Sequence, residues 1–163
     1  MTAVREQTPR TSPRLFVRIA WVGHRALYRF SGGRFGLSRP KDGGRFGMMR
    51  LTTLGRRSGQ PRVAIIGYFE DGSNLVTLAM NGWADTEPAW WLNLQAQPDT
   101  TVDLPDGARA VRARAAAGAE RERLWARFRD FPGWGDDLDA LAARRSTERA
   151  VVVLEPRTAG ATA

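Results

Sequence analysis

A short turn signal set between two apolar runs constrains the fold more than any other feature of this sequence. Asp71-Gly72-Ser73 separates the apolar run 63–69 from the apolar run 75–80. Turns of this composition join neighbouring antiparallel strands in a hairpin. A doubly wound parallel fold is disfavoured, because strands and helices do not alternate regularly and no strand is followed by Gly-x-Gly-x-x-Gly. The sequence therefore predicts a largely antiparallel sheet.

The remaining patterns complete a set of about six short strands and several helices. Pro88 can begin a short helix that Pro98 helps to end. Strands are predicted at 48–53, 63–69, 75–80, 101–104, 108–115 and 150–154, and helices at 14–30, 89–96, 119–130 and near 136–145. Six mostly antiparallel strands with helices packed outside predict a small α+β barrel that is mainly β.

A length of 163 residues predicts a single domain. Residues 1–13 are polar and hold two prolines, so we expect a flexible tail there. We expect the domain to span 14–157 and a second tail to occupy 158–163. No segment approaches the ~20 apolar residues of a membrane span, and Arg18 and Arg25 interrupt the apolar run that a signal peptide would need. A cytoplasmic protein is expected.

The segment 14–30 has the pattern of a basic amphipathic helix. Arg14, Arg18, Arg25 and Arg29 fall on one side of a helix, and apolar residues occupy much of the rest. Such a helix could lie on anionic lipid at the inner face of the membrane. Its apolar face could equally cap the barrel, since both placements need the same pattern.

The usual side-chain catalysts are almost absent from this chain. It has no cysteine and one histidine, His24. Thiolate nucleophiles, cysteine-ligated metals and multi-histidine metal sites are therefore excluded, and we expect no metal. These absences favour an enzyme whose chemistry resides in an organic cofactor, or a protein that is not an enzyme.

Positive charge is concentrated in the first part of the chain. Residues 1–62 carry thirteen arginines and Lys41 against Glu6 and Asp42, a net charge of +12, whereas residues 63–163 carry a net charge of −4. Such a surface suits phosphorylated small molecules, anionic lipid or nucleic acid. No recognised nucleic-acid motif accompanies the charge, so we expect no nucleic-acid partner.

One basic segment, Gly55-Arg-Arg-Ser-Gly-Gln-Pro-Arg62, lies between two predicted strands. It offers two glycines, three guanidinium groups, one hydroxyl and several backbone N–H groups that we expect to be free. These groups can wrap a phosphate. A solvated basic turn between strands would have the same composition.

Three motifs resemble a known family. Leu51-Thr-Thr-Leu-Gly-Arg-Arg-Ser-Gly-Gln-Pro-Arg62, Pro88-Ala-Trp-Trp-Leu-Asn-Leu-Gln-Ala-Gln-Pro98 and Val151-Val-Val-Leu-Glu-Pro156 occur in this order. Together they resemble the signature of the deazaflavin-dependent nitroreductase family of actinobacteria, which includes quinone reductases. The resemblance implies a split β-barrel similar to FMN-binding flavin reductases. It also implies coenzyme F-420, a deazaflavin with a phosphate and a polyglutamate tail, as the cofactor in preference to FMN.

The resemblance also assigns cofactor-binding residues by position. The phosphate and tail would be held by the basic segment, through Arg56, Arg57, Ser58 and Arg62 together with Gly59, Gln60 and Pro61. Backbone groups along the ring would come from Val63, Ala64, Ile65, Ile66, Ala79, Met80, Asn81 and Gly82. Trp90 and Asn93 would support the pocket from their helix.

The implied reaction is direct hydride transfer from the reduced cofactor to a quinone-like, nitro or other small organic acceptor. Two departures from the family affect the acceptor side. Met80-Asn81-Gly82-Trp83 stands where members often carry Ser-Lys-Gly-Gly, and Phe131, Trp134 and Asp137 stand where tyrosines line the acceptor. Phe131 and Trp134 are the expected substrate-binding residues, and no proton donor can be carried over. The alternative is a non-catalytic protein that binds the cofactor or an apolar ligand on the same barrel.

Overall fold

The computed structural model describes residues 36–41, 44–81, 86–131, 138–143 and 146–157. The predicted helix 14–30 and both predicted tails lie outside these ranges, and so the domain boundaries stay a prediction. All described helices and strands belong to one compact unit, residues 37–163. No helix within the described ranges has the length and apolar character required to span a bilayer.

Six strands form a closed barrel in the order β1-β2-β3-β6-β5-β4. Every neighbouring pair is antiparallel. The strands are β1 (Gly47–Leu54), β2 (Pro61–Asp71), β3 (Asn74–Leu78), β4 (Asp99–Leu104), β5 (Gly107–Ala115) and β6 (Val151–Pro156). The helices are α1 (Ala89–Ala96), α2 (Gly118–Arg129) and α3 (Leu138–Ala142). The prediction of a mainly β barrel with six antiparallel strands is confirmed.

The bounds of every strand differ from the prediction at one end or both, and two of these differences bear on the candidate site. β2 begins at Pro61, so the turn before it shortens to 55–60, and Pro61 and Arg62 pair with Leu54 and Thr53 of β1. The prediction that β3 reaches Met80 is wrong, because β3 ends at Leu78. Only the backbone N–H of Ala79 continues the pairing, donating to Ala150 O at 3.0 Å.

Alternation along the strands divides the apolar residues between the barrel interior and its outer surface. Leu75 packs in the interior cluster, and its neighbour Val76 packs in the outer one. Successive strand side chains point to opposite faces, which accounts for this division. Helix α2 covers part of the outer surface and buries Leu124 and Phe128 against it.

Helix α1 supplies large side chains to the interior cluster. Trp90, Trp91 and Leu94 are buried in the same cluster as Met49 and Leu51 of β1. The helix begins after Pro88, whose carbonyl accepts from Trp91 N at 3.0 Å, and Pro98 follows its last residues. The predicted bounds of this helix are confirmed.

The ladder between β2 and β3 is much shorter than the ladder between β1 and β2. β3 pairs with β2 only from Phe69↔Val76 to Asp71↔Asn74, whereas β1 pairs with β2 from Gly47↔Tyr68 to Leu54↔Pro61. One edge of β2 over residues 61–68 therefore has no strand partner among the described residues. The barrel is closed here only by the short pairing of 69–71 with 74–76, and it opens between residues 61–68 of β2 and the end of β3. We call these two edges the lips of the split.

Candidate cofactor-binding site

The segment Gly55–Gln60 is a compact turn that closes the β1–β2 hairpin. Gly55 N donates to Gln60 O at 2.8 Å, and Gly59 N donates to Gly55 O at 2.7 Å. Gly59 has φ +63, a left-handed conformation that favours glycine. A Cβ on Gly55 would lie 2.7 Å from Ser58 Oγ, so this position also requires glycine. The two glycines of the motif therefore shape the turn.

The expectation of several free backbone N–H groups in this turn is wrong. Besides Gly55 and Gly59, Ser58 N donates to Gly55 O at 3.1 Å, and Arg56 N donates to Asn93 Oδ1 at 3.1 Å. Gln60 N reaches Ser58 Oγ at 3.4 Å. Five of the six amides of residues 55–60 are thus bonded, four of them within the turn and that of Arg56 to helix α1. An anion would therefore be held mainly by side chains.

The arginines of the turn differ from those of the barrel body in having no acidic partner. Arg56, Arg57 and Arg62 are exposed and make no ion pair with any residue in the described ranges. Most other arginines in the described ranges are ion-paired; for example, Arg50 Nη1 lies 2.7 Å from Asp103 Oδ2. Arg112 likewise pairs with Asp99 at 2.9 Å. Three adjacent guanidinium groups are thus left available for an external anion.

Asn93 connects helix α1 to both ends of the turn. Its side chain is 3% exposed, its Oδ1 accepts from Arg56 N, and its Nδ2 donates to Thr53 Oγ1 at 3.1 Å. Thr53 Oγ1 in turn lies 3.5 Å from Arg62 O. The Asn93 amide is therefore occupied by protein partners and acts on the site through the turn. Trp90 is also buried, within the interior cluster.

The outer face of β2 leads from the basic turn to the split in the barrel. Val63 is 45% exposed, and Ile65 and Gly67 follow it on the same face at strand spacing. Ala64 and Ile66 alternate toward the interior, where they pack against the core. From Arg62 to Gly67 the strand spans about 16 Å, which suits a ring system joined by a linker to an anionic group.

A groove of about 190 Å³ lies where β2 and β3 separate. Its lining is mostly apolar and consists of Phe46, Ile66, Gly67, Thr77, Leu78, Met80 and Phe128. Thr77 is the polar member, and its hydroxyl donates to Gly67 O at 2.7 Å. Because this hydroxyl is bonded within the protein, the groove presents chiefly apolar and aromatic surface.

Phe131, the predicted acceptor-side residue, lies beside this groove. Its ring stacks on Phe46 at 4.2 Å between centroids and lies 5.5 Å from Phe69. Phe46 and Phe69 also contact Phe128, at 5.8 Å and 4.7 Å. Phe46 and Phe128 of this four-ring cluster line the groove, and Phe131 packs behind Phe46.

The basic turn leads directly into β2, and β2 faces the end of β3 across the groove. Gly82, Trp134 and Asp137 lie outside the described residues. Sequence reasoning missed five lining residues, because each becomes part of the groove only where β2 and β3 separate: Phe46, Gly67, Thr77, Leu78 and Phe128. A small residue inside the apolar β2 run was the one signal that could have indicated Gly67.

The family model and the curated relatives that match this chain carry the same family description. The model of the family described as F420H(2)-dependent quinone reductase matches residues 22–156. The chain is 33% identical over 102 residues to Rv3178 of Mycobacterium tuberculosis H37Rv, covering 63% of this chain and 83% of that relative. It is 31% identical over 104 residues to the F420H(2)-dependent quinone reductase Rv1261c of the same strain, covering 63% and 68%.

Solved structures agree on the fold. The F420-H2 dependent reductase FDR-A matches with a TM-score of 0.56 and 24% identity, covering 66% of this chain and 93% of that chain. A domain-swapped dimer matches with a TM-score of 0.60 and 22% identity, covering 85% and 99%. At these identities the structures support the split barrel alone. The family match over residues 22–156 identifies this chain as a member of the F420H(2)-dependent quinone reductase family.

Proposed function

We propose that this protein reduces a quinone-type acceptor with the reduced form of coenzyme F-420. One observation carries the proposal. Arg56, Arg57 and Arg62, which have no acidic partner in the described ranges, lie at one end of the β2 edge that those ranges leave unpaired, and an aromatic groove lies at the other end. A cofactor with an anionic tail and a flat ring needs both features, in this order.

The donor set of the site fits the deazaflavin. Its phosphate and polyglutamate tail are polyanionic, and guanidinium groups bind phosphate and carboxylate in a bidentate manner. In this proposal Arg56, Arg57, Ser58 and Arg62 hold the tail. The backbone of 63–66, on the unpaired edge of β2, and the segment from Ala79 onward flank the ring, without any contribution from a metal or a protein nucleophile.

The protein's own contribution is orientation and exclusion of water. When bound, the reduced deazaflavin supplies the hydride, and a quinone takes up that hydride and one proton to become a hydroquinone. Phe46, Phe128 and Phe131 offer flat apolar surface to the acceptor, which keeps water from the hydride-transfer path. No ionisable side chain lines the groove in the described residues, so we assign the proton to water.

Titration of the purified protein with coenzyme F-420, FMN and NADPH, followed by fluorescence, tests the cofactor assignment. We expect saturable binding of F-420 that weakens as salt is raised, because the contacts of the tail are ionic. Tight binding of FMN without binding of F-420 would contradict the proposal.

Turnover separates an enzyme from a carrier. Reduced F-420 should be oxidised when menadione is added, and the rate should saturate with menadione concentration. A protein that binds F-420 but oxidises it with neither menadione nor a nitro compound would be a non-catalytic binding protein on the same barrel. Met80 and Asn81 differ from the residues that family members often carry at these positions. Comparison of menadione with a nitro compound therefore tests which acceptor this chain reduces.

We further propose peripheral contact with anionic membrane from the cytoplasmic side, through segment 14–30. The support is its pattern of arginines on one side and apolar residues on the other. The full chain should sediment with vesicles that contain anionic lipid, and a chain lacking residues 1–30 should not. Sedimentation of the shortened chain would contradict this assignment.

A further inference from the structure

Arg149 is a buried cation that lies at the end of β3. It precedes β6, its side chain is 1% exposed, and its Nη1 donates to Ala79 O at 3.2 Å. A charged side chain is seldom placed so deeply unless specific contacts offset the loss of hydration. This hydrogen bond joins two residues that are 70 positions apart in the chain.

Ala79 is held on both sides by Arg149 and the residue after it. While Arg149 binds the Ala79 carbonyl, Ala150 O accepts from Ala79 N at 3.0 Å. The β3–β6 ladder ends with Leu78↔Val151, so Ala79 is the first residue beyond regular pairing. Both backbone polar groups of this residue are thus fixed where β3 leaves the sheet.

Arg149 is itself held from helix α2. Arg121 Nη2 donates to Arg149 O at 3.3 Å and pairs with Glu148 at 2.8 Å. The guanidinium of Arg121 also lies 5.3 Å from the centroid of the Trp125 ring. A continuous set of contacts therefore runs from α2 through Arg149 to Ala79.

The residue after Ala79 is Met80, which lines the groove between the two lips. Since Arg149 fixes the peptide that leads into Met80, it determines where this lip stands relative to β2. The basic turn lies at the opposite end of β2, away from the contacts of Arg149 with Ala79 and Arg121. Loss of Arg149 should therefore affect the ring half of the site and leave the phosphate half intact.

We propose that Arg149 is a positioning residue that fixes the Ala79–Met80 lip and thereby orients the cofactor ring. The inference rests on the proposed function, and it assigns to Arg149 no contact with the cofactor's phosphate. Its role is exerted through the Ala79 carbonyl.

The test compares two ligands: coenzyme F-420 and its phosphate-free fragment, which keeps the deazaflavin ring and the sugar-alcohol chain. Arg149→Met should weaken both ligands by the same factor, about tenfold, because a charge-assisted hydrogen bond that orders the lip is lost. Arg149→Lys keeps a cationic donor and should recover part of the affinity for both. Arg62→Gln should weaken F-420 and leave the fragment unchanged.

Arg114→Met is the matched control. Arg114 also makes several charge-assisted hydrogen bonds, to Glu120 and Glu155, but it makes none to β3. This variant should lose thermal stability and keep its affinity for the fragment. A loss of fragment affinity as large as that of Arg149→Met would show a general effect of destabilisation and overturn the inference.

Should Arg149→Met fail to fold, Arg149→Lys decides the question together with hydrogen exchange. Faster exchange of the Ala79 amide with weakened fragment binding supports the inference, and unchanged values of both contradict it. Wild-type protein that binds neither ligand would overturn the proposed function itself. Wild-type binding with unaltered binding in folded Arg149 variants would overturn only the role of Arg149.

Discussion

Asn93 on helix α1 accepts a hydrogen bond from the backbone N–H of Arg56 at 3.1 Å, across 37 positions of sequence. The other end of the same amide donates to Thr53 Oγ1 at 3.1 Å. One buried side chain thus fixes the turn that carries the unpaired arginines. The conformation of this turn depends on α1 as well as on its own glycines.

Replacement of Asn93 by Leu should destabilise the fold and weaken cofactor binding together. Two buried polar partners, Arg56 N and Thr53 Oγ1, would lose their bonds, at a cost of about 1–3 kcal/mol in the free energy of unfolding. Urea unfolding measures this cost, and fluorescence titration measures the affinity for F-420. Trp125→Phe, which removes the bond from Trp125 Nε1 to Asp139 Oδ1, should destabilise the fold without changing the turn. Unaltered F-420 binding by folded Asn93→Leu would refute the link between α1 and the turn.

Neutralising one arginine of the turn should reduce F-420 affinity roughly tenfold, because a charge-assisted contact to the tail is lost. The change is Arg57→Gln or Arg62→Gln, and the measurement is titration at two salt concentrations. Both variants should also show a weaker dependence of affinity on salt. Arg112→Gln removes the same charge from an exposed pair with Asp99 and should change nothing. An equal loss in Arg112→Gln would mean that net charge alone attracts the cofactor.

Two glycines with nearly the same backbone conformation allow strain to be separated from function. Gly59 has φ +63 and Gly72 has φ +61, and a Cβ on either would meet no atom within 4 Å. Alanine at either position should therefore cost about 1 kcal/mol of stability through backbone strain. Only Gly59→Ala should also weaken F-420 binding, since Gly72 lies in the β2–β3 turn. Equal effects on binding would argue against the basic turn as the tail site.

A larger residue at Gly67 should obstruct the acceptor. The Cβ of Gly67→Ala would lie 3.5 Å from Phe46 Cβ, an ordinary contact, so alanine should be tolerated. Gly67→Val adds two further carbons to a groove of about 190 Å³. The KM for menadione should rise roughly tenfold in the valine variant, with a smaller effect in alanine. Steady-state kinetics at saturating F-420 measures this, and an unchanged KM would place the acceptor elsewhere.

Acid should weaken the attachment of helix α2 to the β2–β3 hairpin. The side-chain hydrogen bond from Arg123, followed by the charges of Arg123 and Arg127, holds the pKa of Asp71 below its ordinary value of 3.8. A carboxylate whose pKa is lowered by folding stabilises the fold above its unfolded pKa, and this stabilisation disappears as pH falls through the folded pKa. Asp71→Asn should therefore lower Tm at pH 7 and reduce the loss of Tm below about pH 4. Parallel pH profiles for wild type and variant would exclude this contribution.

Local sequence patterns were enough to predict the strands, the helices and the basic character of the segment 55–62. Alternating apolar runs, the Asp71-Gly72-Ser73 signal and the prolines around α1 depend on local backbone preferences, and so the strands and the bounds of α1 could be read from neighbouring residues. The three arginines between β1 and β2 indicated an anion site for the same reason. The resemblance of three motifs added the cofactor.

Which backbone amides and side chains can contact a ligand depends on the tertiary structure. Five of the six amides of residues 55–60 are bonded to Gly55, Ser58, Gln60 or Asn93, which only the folded structure shows. The groove exists because β3 leaves β2 after Val76. That separation depends on pairing between segments distant in sequence, which no local pattern encodes. The burial of Arg149 against Ala79 likewise depends on contacts between distant segments, because only the closed barrel brings these two residues together.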